Sequence, residues 1–135
     1  MLSRRTVQYE NGIYNVEIVA KEASLADGIK FQATLRKQNE KHKPNDPADP
    51  EDWAAIYFYT QVYAMCMCGT AEIRNVEPNS QELILDGLTE DKFMELPEAL
   101  VVYWQAAVAE LNPQWLPFVG VNQKTEESQE ATPTG

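Results

Sequence analysis

Residues 96–115, LPEALVVYWQAAVAELNPQW, carry the clearest structural signal in the chain, a helix with both ends marked. Pro97 suits a first helical turn, where its missing N–H would find no partner anyway, and Glu98 complements the positive end of the helix dipole. Leu100, Trp104, Ala107, Val108 and Leu111 recur at three- and four-residue spacing. Val101 and Tyr103 widen that apolar stripe, and Glu98, Gln105 and Glu110 leave a narrow wet side. Asn112 precedes Pro113, and a residue before proline avoids the helical conformation, so the helix is predicted over 97–111. A stripe this wide needs a core to lie on.

Upstream, Val7 and Tyr9 alternate with Gln8 and Glu10, and Tyr14, Val16 and Ile18 alternate with Asn15 and Glu17. Asn11-Gly12 between them favours a tight type I′ turn, so 6–19 reads as a β-hairpin. Two strands are marginal alone in water, so the ribbon must lie on helices, join another strand or join another subunit. Residues 24–41 carry two competing periodicities. Ser24 and Asp27 resemble an N-cap pair, with Leu25, Ile29 and Ala33 along one helical face, yet Ile29, Phe31, Ala33 and Leu35 also alternate as in a strand. The good helix formers from Arg36 to Lys41 favour helix, and Gly28 weakens it. KPNDPADP at 43–50 is a linker that also opens the next helix, with Asp49 as cap and Pro50 in the first turn. From Trp53 the sequence is apolar nearly all round, which predicts a central helix over 50–68 sandwiched between neighbours and stopped near Gly69. Ala71, Ile73 and Val76 could extend it or form a short strand. Thr89 caps a short helix over 89–95 that packs Leu88, Phe93 and Leu96. The expected fold is α+β, mainly α: an N-terminal β-hairpin on a bundle of about three to four helices in one domain, 1–121. The polar segment 122–135 lacks large apolar groups and is expected to be disordered.

At 135 residues the chain suits one domain, able to bury roughly two-thirds of the surface it exposes when unfolded. Cys66 and Cys68 are too few and too close for a disulfide framework, and no apolar run approaches the ~20 residues that span a bilayer, so a cytoplasmic protein without membrane contact is expected. The net charge of −10 is unevenly spread. Residues 1–43 hold eight Lys or Arg against five Asp or Glu, and residues 44–135 hold three against sixteen. An acidic body argues against nucleic-acid binding, whose affinity comes largely from cations. The asymmetry also permits head-to-tail association between copies, weakened by salt.

Groups suited to catalysis are sparse. His42 is the sole histidine and reads as a solvated surface residue with no nucleophile beside it. Cys66 and Cys68 lack the further ligands of a zinc site and read as core. The acids at Asp46, Asp49, Glu51 and Asp52, and at Glu90, Asp91 and Glu95, coincide with helix starts and read as caps. Phosphate-binding glycine loops are missing. Neither an enzyme, a cofactor nor a metal site is expected. Aromatic side chains are abundant instead: Trp53, Tyr57, Phe58, Tyr59, Tyr63, Tyr103, Trp104, Trp115 and Phe118, with Met65 and Met67 among them. Most must be core, and those left exposed would suit helix-accepting or self-assembly surfaces. The partner-binding candidates are Trp53, Tyr57, Tyr63, Trp104 and Trp115.

The run LDGLTEDKFMELPEALVVYWQAAVAELNPQW, preceded by an aromatic helix beginning Asp52-Trp53-Ala54-Ala55-Ile56-Tyr57, resembles the tail assembly chaperones of long-tailed bacteriophages and prophages over residues 50–116. The resemblance implies a small acidic homo-oligomeric protein of the host cytoplasm, with N-terminal strands, a helical body and a flexible tail. Such a protein binds the tape measure protein and tail tube subunits, and a frameshifted longer form is often made beside it. A phage structural component, such as a neck or tail-completion protein, is the alternative, followed by an acidic DNA mimic.

Overall fold

The computed structural model describes residues 1–117; the segment from Asn122 expected to be disordered, and Phe118, lie outside them. The fold is α+β, with a three-stranded antiparallel sheet and five α-helices among the described residues. Strands β1 (Arg4–Glu10) and β2 (Asn15–Lys21) form the N-terminal hairpin. Helix α1 spans Leu25–Lys41, α2 Pro50–Tyr57 and α3 Tyr63–Cys68, the last two joined by a π-helical stretch at Phe58–Val62. Strand β3 (Thr70–Asn75) adds to β2, giving the order β1-β2-β3. Helices α4 (Glu90–Met94) and α5 (Glu98–Leu111) follow, then a 3₁₀ turn at Pro113–Trp115.

Several local readings change in three dimensions. The hairpin connection is a four-residue loop, because Glu10 pairs with Asn15 and only Gly12 has a positive φ, whereas a type I′ turn needs one at Asn11 as well. Asn11 instead accepts the Ile13 and Tyr14 N–H groups on its side chain. The chain after Gly69 is strand, which answers the need for a third partner: Ile73 lies opposite Ile18 on the buried face of the sheet. Residues 25–41 are helix, with the Ser24–Asp27 capping box formed. Its buried residues are Phe31 and Gln38, however, with Leu35 packed partly buried on the core, and Leu25 and Ile29 face outward.

The central helix is buried only in its second half. Helix α2 buries nothing fully, while Ala64, Met65, Cys66 and Cys68 of α3 are core. The π-helical stretch marks the change. Thr60 Oγ1 donates back to the Ile56 carbonyl (2.8 Å), a contact that bends helices, and the Tyr63 N–H reaches back five residues to the Phe58 carbonyl. Gln38 of α1 donates to the Tyr59 carbonyl (3.1 Å), which explains why an amide is buried there.

Helix α5 packs on β1 and β2, and α3 packs against both α1 and α5. Trp104, fully buried, donates its indole N–H to Thr70 Oγ1 (2.7 Å), and Thr70 donates in turn to the Cys66 carbonyl (2.6 Å). Helix α5, β3 and α3 thereby share one buried chain of hydrogen bonds. The turn at Gly69 allows them to approach, since a Cβ there would lie 2.5 Å from Val108 Cγ1 and 2.9 Å from the Met65 carbonyl oxygen. Past α5, Asn112 is fully buried: its amide donates to the Lys21 carbonyl (2.9 Å) and accepts from the Ala23 N–H (2.8 Å), tying the end of β2 to the end of α5. Trp115 then stacks on Phe31 (centroids 4.2 Å apart) and gives its carbonyl to Gln61.

Gly69→Ala is expected to lower the unfolding free energy by about 3 kcal/mol, since both the backbone and Val108 must yield. Asn112→Ala, which strands two partly buried backbone groups, is expected to cost about 2 kcal/mol. Urea denaturation of each variant against the wild type measures both.

Candidate functional site

The five candidate aromatic residues are not one surface. Trp104 and Trp115 are core, and Tyr63 is half-buried, with its hydroxyl on the Leu88 carbonyl (3.2 Å) and its ring edge-on to Phe93. Residues that look alike in a helical stripe part ways because Trp104 points at the sheet, while Trp115 lies beyond the proline that turns the chain back toward α1. Trp53 and Tyr57 remain outside, 51% and 37% exposed. They lie one turn apart on α2 and share its outward face with Ala54. Trp53 donates its indole N–H to the Pro47 carbonyl (2.7 Å), so the linker holds the ring in place.

The helix beside them continues this surface. Gln105 of α5 donates to the Tyr57 hydroxyl (3.2 Å), and the exposed face of α5 carries Ala99, Val102, Tyr103 and Ala106. Tyr103 was expected to widen the buried stripe, yet it is 55% exposed, and Val102 is 43% exposed. The wet side of α5 is therefore broader and more apolar than its three polar residues suggest. The reason is that the stripe from Leu100 to Val108 already fills the space against β2 and α3. Val102 lies on the Gln105 side of α5, toward α2; Tyr103 lies on the other side, where it lines a groove with Val7 of β1. The first turn of α2 is acidic, with Glu51 and Asp52, whereas Glu110 of α5 is paired with Arg5 (2.8 Å).

A second cluster holds the helices together. Glu90, at the start of α4, is not a cap; Thr89 takes that role. The Glu90 carboxylate accepts from Lys41 Nζ (2.8 Å), His42 Nε2 (3.0 Å) and the Gln38 amide, all from the end of α1. His42 is accordingly not a solvated residue: it stacks on Tyr59 (4.5 Å) with its side chain 21% exposed. Burial alone would raise the Glu90 pKa, but the bonds from Lys41, Gln38 and His42 outweigh it and hold the pKa at about 2. Three side chains from the end of α1 converge on this one carboxylate, so the cluster clamps α4 to α1. Burial pushes the thiols of Cys66 and Cys68 up, away from the thiolate form that nucleophiles and metal ligands require. The acids of the linker bond to backbone amides: Asp49 caps α2 through the Glu51 N–H, and Asp52 accepts from the Asp46 N–H. Among the described residues, no group of three or more His, Cys, Asp or Glu is placed to hold a metal ion, and no helix is long and apolar enough to cross a membrane.

Glu90→Gln is expected to cost about 1–2 kcal/mol at neutral pH. A folded pKa of about 2 against an ordinary 4.5 means that the clamp's stabilisation is complete above pH 4.5 and is lost as the pH falls toward 2. The variant's stability should vary less than the wild type's across that window, as read by chemical denaturation at stepped pH.

No protein-family model, curated protein or solved structure matches the chain.

Proposed function

We propose that this chain is a non-enzymatic tail assembly chaperone of a long-tailed phage or prophage. It acts in the host cytoplasm by covering apolar helical surface on the tape measure protein and by receiving tail tube subunits. The observation that carries this reading is the outward face of α2 with the adjoining side of α5: Trp53, Ala54, Tyr57 and Val102, beside the acidic first turn of α2. Two large rings held on α2, with Val102 of α5 beside them, offer contact area at little entropic cost, which suits capture of an amphipathic helix. The resemblance of residues 50–116 to such chaperones supports the same reading, and the net charge of −10 suits a protein that keeps a long apolar partner soluble.

Co-expression with the tape measure protein of a long-tailed phage tests the proposal. The expected result is a soluble complex that co-purifies. Trp53→Ala combined with Tyr57→Ala should weaken it by about thirtyfold while leaving the melting temperature of the free protein nearly unchanged. Mass spectrometry of purified virions should find the chain missing. Recovery of the chain at fixed copy number in mature particles, or capture that ignores both substitutions, overturns the proposal in favour of a structural component.

A further inference from the structure

The edge of the sheet at β1 is open. Arg4–Glu10 pair with β2 on one side, and among the described residues no strand lies on the other. Open edges are usually blunted by proline, bulges, short length, charged side chains or a covering segment, and of these β1 has only charges, Arg4, Arg5 and Glu10, which are of both signs. Strand β1 has seven residues, no proline and an unbroken register from Arg4 opposite Lys21 to Glu10 opposite Asn15. The one register shift in the sheet lies between β2 and β3. The opposite edge is treated differently: the Asn75 side chain takes both the N–H (2.8 Å) and the carbonyl (2.9 Å) of Leu83, so a following segment of the chain is held beside β3.

We infer that the β1 edge is completed by a second copy of this chain, β1 pairing with β1 antiparallel about a two-fold axis through Val7. The sequence Arg4-Arg5-Thr6-Val7-Gln8-Tyr9-Glu10 is complementary to itself in this register. All seven residues pair, Val7 meets Val7, Thr6 meets Gln8, and Arg4 meets Glu10 at both ends. Moving the axis one residue along the strand, to Thr6 or Gln8, loses both charge pairs. A slip of one residue between the strands puts the second copy's helices on the other face of the sheet, because side chains alternate.

The charges within one copy favour the same partner. Arg4 lies directly opposite Lys21 on β2, a like-charge pair that is unfavourable across a sheet, and among the described residues no carboxylate bonds to Arg4. Lys21 is itself committed to Asp27 (3.1 Å). Glu10 of the second copy would supply the missing counter-charge. The packing agrees. Arg5, Val7 and Tyr9 share the face of the sheet on which α5 lies, because they pair with the buried residues Ala20, Ile18 and Val16. In the paired sheet the two α5 helices lie on the same side, and the groove between β1 and α5, about 310 Å³ and lined by Val7, Tyr103 and Ala106, is covered by the other copy. The exposed Tyr103 thereby gains a partner. This surface uses β1 and the Tyr103 side of α5, apart from the Trp53–Tyr57 face assigned to the tape measure protein, so it stands or falls independently of that assignment.

Charge reversal and exchange test the pairing in the full chain, by sedimentation equilibrium across a dilution series. The wild type should be a dimer. Arg4→Glu and Glu10→Arg, both at exposed positions, should each raise the dissociation constant by about tenfold or more, since each sets two like-charge pairs across the axis. The Arg4→Glu/Glu10→Arg double variant should return to within about threefold of the wild type. Circular dichroism checks that each variant is folded. Because Glu10 also accepts from the Gly12 N–H, any turn effect of Glu10→Arg persists in the double variant, so recovery of the dimer there reports pairing alone. A wild type that stays monomeric, or a dimer that ignores both single substitutions, overturns the inference and leaves the edge to a different segment or partner.

Discussion

The fold depends on how closely α5 can approach the turn between α3 and β3. Gly69 leaves no Cβ in the space that Val108 and Trp115 occupy, and Thr70, the next residue, offers its hydroxyl to the indole of Trp104. A tryptophan this deeply buried needs a partner for its N–H, and the contact is available only if the backbone turns at residue 69. Once the approach is made, the remaining core residues of α5 reach β2 and α3 together. Asn112 at the C-terminal end then fastens the helix to Lys21 and Ala23. The core is therefore built around a polar connection surrounded by apolar packing, and such connections fix one arrangement where oily contacts alone would tolerate several.

The same approach determines what is left outside. Because α5 commits five residues to the core, its opposite side presents Ala99, Val102, Tyr103 and Ala106 to water, with α2 contributing Trp53 and Tyr57 beside it. Two neighbouring apolar regions result, separated by the crest of α5. One looks toward α2, whose first turn is acidic. The other looks toward the open edge of β1, where the basic start and acidic end of the strand are arranged for self-pairing. The proposed chaperone surface and the inferred dimer surface can thus be occupied at once.

The Glu90 clamp plays a quieter part. Apart from the clamp, helix α1 meets the core through Phe31 and Leu35, and α4 is too short to be stable alone. Three donors from the end of α1 converge on one carboxylate and set the position of both helices, which in turn supports Tyr59 and Tyr63 on the helix between them. This is the use of the sole histidine, and it is structural.

Much of the fold was legible in the sequence. The hairpin alternation, the Ser24–Asp27 and Thr89 caps, Pro50 and Pro97 at helix starts and the proline after Asn112 are local signals, determined by backbone sterics and by bonds to neighbours within a few residues. They identified the α+β class and most of the elements without reference to the rest of the molecule. The assignment of Leu25 and Ile29 to the outside, of Trp104 and Trp115 to the inside and of His42 to Glu90 was not legible. Each depends on contacts between residues far apart in the chain, and a helical stripe does not say which of its flanks meets another element. The strand at residues 70–75 belongs with these, because pairing with β2 selected it over continuation of the helix. Sequence alone determined most of the elements and their charge; only the tertiary structure decided the third strand and which greasy side chains are core and which form a surface, since pairing and burial are properties of the whole packing and not of any residue's own chemistry.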